Sequence, residues 1–268
     1  MTKISGKTVL ITGGAAGIGK LMGVSCLLKG ATKLIIWDIN EDTLNETAKE
    51  FSERGFKVSP YKVDVSNLEQ IQQAAALILK EGAVDILINN AGIVTGQPFY
   101  KQEARAITKT LAINVEAVMQ ISRVFLPAMI EQKSGHIVNI ASAAGMMSNP
   151  NMSVYAASKW AVLGWSESLR IELESIKGDL HVTTVTPGYI DTGMFDGVKS
   201  PLLLPLLKPE AIVKAIIKGV ERNKLFVRKP FMVNYLTFVK GILPIRVFDW
   251  FVGTVLGVYK SMDDFKGH

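Results

Sequence analysis

The chain has 268 residues, of which 48% are apolar and 20% are charged, and its formal net charge is +6. A chain this apolar buries enough surface to fold, which excludes intrinsic disorder as its main state. A disulfide scaffold is also excluded, because Cys26 is the only cysteine in the sequence. The single thiol favours a reducing compartment, and we therefore expect a cytoplasmic protein.

The positive charge is concentrated at the end of the chain. Residues 1–200 contain 19 basic and 19 acidic side chains, whereas residues 201–268 contain 11 and 5. A charge-balanced body does not have the basic surface that nucleic-acid binding requires, so we expect no nucleic-acid partner. Residues 1–7 are polar, and no apolar run reaches the roughly 18 residues of a membrane span, so we expect neither secretion nor a transmembrane helix.

Short runs of β-branched residues alternate with longer stretches of helical periodicity. Strands that are apolar on both faces and separated by helices predict a parallel sheet with helices on both faces. Right-handed connections make this a doubly wound, Rossmann-type α/β sheet in a single domain, residues 1–268. The predicted strands are 8–11, 33–37, 56–61, 84–88, 136–140, 180–185 and 225–227. The predicted helices are 18–28, 41–54, 68–80, 102–131, 153–176 and 210–221.

A glycine-rich turn connects the first strand to the first helix. Gly13, Gly17, Ile18 and Gly19 lie in the segment TGGAAGIG at residues 12–19. Small residues let the backbone approach a pyrophosphate, and the N-terminus of the following helix supplies N–H groups and partial positive charge. Because it lies between a strand and a helix, the segment predicts a dinucleotide-binding site.

The second strand ends on an acidic residue, Asp38. A carboxylate at this point can accept hydrogen bonds from the adenosine ribose hydroxyls, and it would repel a 2′-phosphate. Residues 14–16 contain no Lys or Arg that could bind such a phosphate. Both features favour NAD over NADP as the cofactor, although Asp38 could instead serve as a helix N-cap.

Further candidate cofactor residues follow the third and fourth strands. Asp64 and Val65 come after the third strand, where Asp64 could meet the adenine edge or cap the next helix. Asn90, Ala91 and Gly92 come after the fourth strand and place small and amide-bearing residues at the same edge of the sheet. Ligands bind at this carboxyl edge in open α/β sheets.

Four polar residues form a candidate catalytic group. Tyr155 and Lys159 are four apart in a predicted helix and share a face, so the ammonium is expected to lower the pKa of the phenol. Tyr155 could then exchange a proton with an alcohol or carbonyl oxygen. Ser142 follows the fifth strand and could hold that oxygen. Asn114, an amide within the long helix, could hold a water chain that ends at Lys159.

In order and spacing, the glycine turn, the amide segment after the fourth strand and these four residues resemble the short-chain dehydrogenase/reductase family. The resemblance implies hydride transfer between a nicotinamide and a substrate carbon. It implies that Tyr155 is the acid/base, that Lys159 also binds the nicotinamide ribose, that Ser142 orients the substrate and that Asn114 supports the proton relay. It further implies homodimers or homotetramers packed through the two long helices.

A segment after the sixth strand is similar to the family's contact with the nicotinamide end. Its candidate cofactor residues are Pro187, Gly188, Ile190 and Thr192. The substrate lobe is expected at about 189–222. Within it, residues 193–209 contain few polar groups and predict an apolar lid over the active site, with ordinary core packing as the alternative.

The C-terminal extension, about 230–268, is apolar, aromatic and basic, and we expect it to be helical. Aromatic side chains beside Lys and Arg can bind an anionic membrane surface peripherally. Subunit contact or packing of extra helices on the sheet is the alternative. Together with residues 257–267, this tail resembles the retinol dehydrogenase and 17-beta-hydroxysteroid dehydrogenase-like branch of the family. The branch implies a lipophilic alcohol or ketone as substrate, of the retinoid, steroid or long-chain type.

The leading interpretation is an NAD-dependent oxidoreductase for lipophilic alcohols. A carbonyl or 3-oxoacyl reductase is a second possibility, and a non-catalytic NAD-binding protein of lipid surfaces is a third. We expect no metal site, because His136, His181 and His268 form no metal-ligand pattern.

Overall fold

The computed structural model of the protein describes residues 1–202 and 204–265. Leu203 of the predicted lid and Lys266, Gly267 and His268 of the tail lie outside the described residues. The strands are β1 (Thr8–Thr12), β2 (Lys33–Asp38), β3 (Val58–Lys62), β4 (Ile86–Asn89), β5 (Ser134–Ile140), β6 (Asp179–Pro187) and β7 (Phe226–Lys229). The helices are α1 (Gly17–Leu28), α2 (Glu41–Glu53), α3 (Leu68–Glu81), α4 (Ala104–Leu111), α5 (Ala117–Glu131), α6 (Ser153–Glu174), α7 (Pro209–Glu221), α8 (Leu236–Ile242) and α9 (Ile245–Phe248).

All seven strands join one parallel sheet in the order β3-β2-β1-β4-β5-β6-β7. Strand β1 is central, and its Val9 lies opposite Leu34 of β2 on one side and Ile86 of β4 on the other. The chain therefore builds the sheet outwards in one direction through β3 and then in the other direction from β4. The carboxyl ends of β1 and β4 border the crevice where this reversal occurs. The predicted doubly wound parallel sheet is confirmed.

Two apolar layers cover the two faces of the sheet. One layer contains Met22 of α1, Phe51 of α2 and Ile216 of α7. Cys26 lies in the same layer, and burial raises the pKa of its thiol to about 12. The other layer contains residues of α3, α5 and α6, among them Phe125. Helices on both faces explain why the central strands are apolar throughout.

The predicted helix 102–131 is one helical stretch, Ala104–Glu131, which is long and apolar enough to span a membrane by length and composition. In this fold its Phe125 and Met129 are buried in the core, and the Phe125 ring lies 5.8 Å from that of Trp37. The stretch departs from the prediction at a π-helical turn, Ala112–Glu116, between α4 and α5. No residue type in the sequence marks such a turn, because it follows from tertiary contacts of the residues within it.

The C-terminal extension is helical, as predicted. It consists of a 3₁₀ turn (Phe231–Asn234), α8, α9, a π-helical segment (Asp249–Val255) and a second 3₁₀ turn (Val258–Lys260). Phe248 and Val252 pack inward in one cluster with Met146 and Met147. These methionines follow β5 closely, so the extension lies beside the carboxyl edge of the sheet.

Candidate active site

The turn after β1 requires glycine at several positions. Gly13 and Gly17 have φ values of 61° and 52°, in the left-handed region. A Cβ at Gly19 would collide with the carbonyl oxygen of Gly13, so the backbone is closely packed here. Helix α1 begins at Gly17 without a side-chain cap. Its first N–H groups therefore suit an external acceptor such as a phosphate.

This turn forms one wall of a cavity of about 410 Å³ at the carboxyl ends of the strands. The predicted site residues that line the cavity are Gly13, Gly17, Ile18, Gly19, Asn90, Ala91, Gly92, Ser142, Tyr155, Lys159, Pro187, Gly188, Ile190 and Thr192. Met194 and Phe195 of the predicted lid line it as well. Further lining residues that the motifs did not single out are Ala16, Ile93, Val94, Ile140 and Ala141. One cavity thus joins the glycine turn to the candidate catalytic group.

Asn90 fastens the loop after β4 to the glycine turn. Its Nδ2 donates to the carbonyl oxygens of Thr12 and Gly13, both at 3.0 Å. The backbone N–H groups of Asn90 and Ala91 donate to Thr12 Oγ1, also at 3.0 Å. These bonds cross the crevice between β1 and β4 and hold its two walls in register. Thr12 is therefore a positioning residue, a role that the glycine motif itself does not indicate.

Asp38 lies at the edge of the glycine turn and does not line the cavity. Its Oδ2 accepts from the N–H of Ala15 at 3.1 Å, and its Oδ1 accepts from the N–H of Asn40 at 3.1 Å. Asn40, not Asp38, is the N-cap of α2, since its side chain accepts from Thr43. The carboxylate thus stands beside the glycine turn with backbone donors on both oxygens.

Asp64 and Val65 also lie outside the cavity lining. Asp64 Oδ1 accepts from the backbone N–H of Ser66 at 2.9 Å and from its hydroxyl at 2.6 Å. Val65 is buried in the core cluster of the α3 face. Asn67 caps α3, so the alternative reading of Asp64 as the N-cap is wrong. Asp64 instead stabilises the turn that leads into that cap.

Ser142, Tyr155 and Lys159 are brought together by β5 and α6, and each is less than 9% exposed. Tyr155 is hydrogen-bonded to the Ser142 side chain. Lys159 Nζ donates to the carbonyl oxygen of Ile140 at 2.9 Å and lies 5.6 Å from the centroid of the Tyr155 ring. The helical spacing therefore does place the ammonium beside the phenol, as the sequence predicted.

Burial controls the protonation of this pair. It raises the pKa of Tyr155 to about 12, although the hydrogen bond from Ser142 acts in the opposite direction. Burial also lowers the pKa of Lys159 to about 8. The predicted lowering of the phenol pKa by the lysine is therefore wrong for the structure as it stands, because burial is the largest influence on this pKa and Lys159 is not among the groups that shift it. Near neutral pH, Tyr155 is a proton donor.

Asn114 lies in the π-helical turn and is completely buried. Its Nδ2 donates to the carbonyl oxygen of Ile93 at 2.9 Å and to Ser158 Oγ at 3.0 Å, and its Oδ1 accepts from the N–H of Ile93 at 2.9 Å. A Cβ at Gly92 would lie 3.3 Å from Asn114 Oδ1 and 3.6 Å from Lys159 Nζ. The glycine therefore leaves room for the amide and the ammonium to approach the same backbone segment.

Phe195, which lines the cavity, belongs to a group of side chains whose contacts the sequence did not indicate. The Phe195 ring lies edge-on to Tyr155 and to Tyr189, at 6.3 and 5.2 Å between centroids. Tyr189 Oη accepts from Asn149 Nδ2 at 2.7 Å and shares a hydrogen bond of 2.8 Å with Ser261 Oγ. These residues come from three distant segments, so no local spacing could have revealed them.

Within residues 1–202 and 204–265, no group of three His, Cys, Asp or Glu side chains is placed to hold a metal ion. His136 is buried at the amino end of the sheet, where its ring nitrogens contact the hydroxyls of Thr2 and Thr183 at 2.9 and 2.8 Å. His181 contacts Asp179 at 2.6 Å. Both histidines lie far from the carboxyl edge and have structural contacts.

Comparison with known families matches residues 7–202 to the short chain dehydrogenase family. Epidermal retinol dehydrogenase 2 of Mus musculus is 38% identical over 269 residues, covering 98% of this chain and 86% of the relative. Short-chain dehydrogenase/reductase family 16C member 6 of Bos taurus is 39% identical over 245 residues, covering 90% and 77%. Estradiol 17-beta-dehydrogenase 11 of Pongo abelii is 37% identical over 247 residues, covering 91% and 81%.

Solved structures agree with this assignment. A short chain dehydrogenase/reductase from Burkholderia phymatum in complex with NAD has a TM-score of 0.79 and 26% identity, covering 88% of this chain and 93% of that one. A short chain dehydrogenase from Burkholderia cenocepacia in complex with NADP has the same TM-score and identity, covering 92% and 98%. The two neighbours bind different nicotinamide cofactors. The chain belongs to the short-chain dehydrogenase family, a family of nicotinamide-dependent oxidoreductases.

Proposed function

We propose that this protein transfers a hydride between NAD and a lipophilic alcohol or ketone. The observation that carries the proposal is the single cavity in which the glycine turn meets Ser142, Tyr155 and Lys159. When bound, the nicotinamide would accept the hydride from an alcohol carbon or supply it to a carbonyl carbon. The chain's own residues would position both reactants and move the proton.

The cavity fits a dinucleotide. Gly13, Gly17, Ile18 and Gly19 would receive the pyrophosphate at the N-terminus of α1, where no side chain competes for the N–H groups. The amide segment Asn90, Ala91 and Gly92 would flank the nicotinamide half, together with Pro187, Gly188, Ile190 and Thr192. Lys159 would also bind the nicotinamide ribose. Asp64 and Val65 would serve the adenine end through the shape of their loop, because they do not line the cavity.

The preference for NAD rests on Asp38. Its carboxylate stands beside the glycine turn, and the residues at 14–16 are Gly, Ala and Ala. A 2′-phosphate at this place would meet a negative charge and no cation, whereas ribose hydroxyls could donate to the carboxylate. The cofactor is therefore NAD in this proposal.

Proton transfer is assigned to the buried polar group. Ser142 would donate a hydrogen bond to the substrate oxygen and hold it next to Tyr155. Tyr155, protonated near neutral pH, would donate its proton to a carbonyl oxygen during reduction, and the phenolate would accept one during alcohol oxidation. Lys159 favours the phenolate as the proton leaves. Asn114 would hold the backbone of Ile93 and a water that connects Lys159 to solvent.

The substrate side of the cavity is apolar. Val94, Met194 and Phe195 line it, and Met262 and Phe265 of the extension pack in the same cluster as Phe195. Such a surface suits a retinoid, a steroid or a long-chain alcohol. The names of the relatives, retinol dehydrogenase and estradiol 17-beta-dehydrogenase, support the same substrate class.

A substrate panel tests the proposal. Retinoids, steroids and aliphatic alcohols, with the corresponding ketones or aldehydes, would be assayed in both directions with NAD and with NADP, following nicotinamide absorbance. We expect turnover of a lipophilic alcohol with NAD. Turnover confined to reduction with NADPH would favour a carbonyl or 3-oxoacyl reductase. Tight NAD binding without any turnover would favour a non-catalytic protein.

We further propose that residues 1–268 act as one domain, with a substrate lobe at about 189–222 and the extension at about 230–268. Homodimers or homotetramers would form through the long helices α5 and α6. Cys26 is buried and forms no disulfide within the described residues. A free cysteine is compatible with a cytoplasmic location. Light scattering of the purified protein tests the assembly.

A further inference from the structure

Exposed apolar side chains are concentrated in the C-terminal extension. Among the residues that the structure describes, 24 large apolar side chains are exposed, and ten of them lie within residues 231–255. We call these ten the C-terminal apolar face. They are Phe231, Met232, Tyr235, Phe238, Ile242, Ile245, Val247, Trp250, Phe251 and Val255.

The face belongs to helical segments that are apolar on both sides. Tyr235, Phe238 and Ile242 follow one another at helical spacing and are 46%, 65% and 63% exposed, while Leu236 between them is buried. Trp250 is 61% exposed, and its neighbour Val252 is buried. The inner side completes the core beside Met146, whereas the outer side is exposed. Exposed apolar surface of this extent marks a binding surface.

Basic side chains outnumber acidic ones along this segment. Between residues 229 and 255 the basic side chains are Lys229, Lys240 and Arg246, and the one acidic side chain is Asp249. Asp249 accepts a hydrogen bond of 2.7 Å from Tyr259 Oη. Lys229, Lys240 and Arg246 form no ion pair within residues 1–202 and 204–265. The partner of the face must therefore accept both apolar groups and positive charge.

A lipid surface with anionic headgroups meets both requirements. Aromatic side chains enter the boundary between headgroups and acyl chains, and Lys and Arg attract the negative surface. A second copy of this chain could cover the apolar groups but would not accept the positive charge. A two-fold interface uses the same patch on both subunits, so it would bring the cations of both copies to one contact.

The extension that bears the face is joined to the lid of the cavity. The N–H of Leu202 donates to the carbonyl oxygen of Leu256 at 2.8 Å, which joins the lid to the extension. Leu202 and Leu206 are themselves 64% and 40% exposed. The same lid carries Met194 and Phe195 into the cavity wall. The lid thus connects the extension that bears the C-terminal apolar face to the wall of the candidate active site.

We propose that the C-terminal apolar face docks the protein peripherally on an anionic lipid bilayer and turns the cavity mouth towards the membrane. Lipophilic substrate would then enter the site from the lipid phase without crossing water. This last step rests on the proposed function, whereas the docking itself does not.

Vesicle co-sedimentation of the purified full chain, without substrate or cofactor, tests the docking. The vesicles contain phosphatidylcholine alone or mixed with phosphatidylserine. We expect binding to the mixed vesicles that weakens as salt is raised. The double variant Phe238→Ser, Trp250→Ser should bind at least about tenfold more weakly, because two exposed aromatic side chains are lost. The matched variant Leu28→Ser, Leu77→Ser removes two exposed apolar side chains outside the extension and should bind as the wild type does.

A charge variant separates the two forces. Lys229→Gln with Arg246→Gln should weaken binding to the mixed vesicles about tenfold or more and leave binding to phosphatidylcholine nearly unchanged. Absence of vesicle binding at low salt would overturn the proposal. So would a dimer in light scattering that the Phe238→Ser, Trp250→Ser variant dissociates, because the face would then be a subunit contact. Since no turnover is measured, these outcomes are independent of the proposed function.

Discussion

At the scale of single residues, burial moves the two ionisable groups of the candidate active site in opposite directions. The pKa of Tyr155 rises to about 12 and that of Lys159 falls to about 8. Both shifts favour the neutral forms, but only the lysine is charged near neutral pH, so only its burial costs stability there. Lysine burial therefore destabilises the folded protein at neutral pH.

The free-energy cost of burying Lys159 can be measured from the pH dependence of the free energy of unfolding. Its pKa is about 8 in the folded protein and 10.5 as the unperturbed value, so the unfolded chain binds more protons between these limits. Wild-type stability should consequently rise across this window by up to about 1.4 kcal/mol per pH unit. Urea denaturation of the wild type and of Lys159→Met at pH 7.5 and pH 10 should show a change in unfolding free energy that is more positive in the wild type than in the variant. A constant difference in unfolding free energy between the two proteins would contradict the pKa shift.

Asp38 is a second test at this scale. If its charge excludes the 2′-phosphate, Asp38→Ala should lower the ratio of kcat/KM with NAD to kcat/KM with NADP at least about tenfold, equal to about 1.4 kcal/mol. The control is Asp42→Ala, which removes an exposed carboxylate from the first turn of α2. An unaltered ratio in the Asp38→Ala variant would show that another feature selects the cofactor.

At the scale of elements, the strands and most helices follow directly from the sequence. The β-branched runs predicted the central strands because those strands are buried on both faces, and Asp38, Ser142 and Tyr155 were correctly placed at strand ends and a helix start. The π-helical turn around Asn114 was not predictable, because it depends on hydrogen bonds to Ile93 and Ser158 far along the chain. The same reason hid the contact of Tyr189 with Asn149 and Ser261.

The hydrogen bonds of Ser261 to Tyr189 and Asn149 tie the extension to the substrate side of the cavity, because Tyr189 packs against Phe195 of the cavity lining. Removing them should therefore affect substrate binding more than cofactor binding. Ser261→Ala removes the hydroxyl that bonds Tyr189 and Asn149. We expect the KM for a lipophilic substrate to rise several-fold with little change in the KM for NAD, and stability to fall by about 1–3 kcal/mol. Steady-state kinetics and urea denaturation measure the two effects. Ser168→Ala, on the exposed side of α6, is the control, and equal changes in both KM values would contradict the assignment.

At the scale of the whole molecule, the candidate active site and the contacts that hold the start of the chain lie at opposite edges of the sheet. The cavity opens at the carboxyl edge, whereas His136 near the amino edge joins the chain start at Thr2 to Thr183 of β6. Burial lowers the pKa of His136 to about 3. Protonation of His136 in acid should therefore destabilise the fold at the amino edge of the sheet, which carries no catalytic group.

The sign of this effect is fixed by the two pKa values. Because the unfolded chain binds a proton on His136 below about pH 6.5 and the folded chain only near pH 3, stability should fall as pH falls through this interval, by up to about 1.4 kcal/mol per unit. His136→Gln should lose this contribution while it retains activity at pH 7.5. Denaturation midpoints at pH 7.5 and 5 compare the two proteins, and an identical acid slope in both would exclude His136 as its source.

In the proposed mechanism, the buried phenol of Tyr155 transfers the proton while the rest of the site binds the cofactor. The most direct measurement compares Tyr155→Phe with the wild type for kcat on the best lipophilic alcohol and for the dissociation constant of NAD. Loss of a positioned acid/base should lower kcat by about 10²- to 10⁴-fold, and NAD should bind both proteins with similar affinity. A Tyr155→Phe variant that turns over at the wild-type rate would contradict the claim.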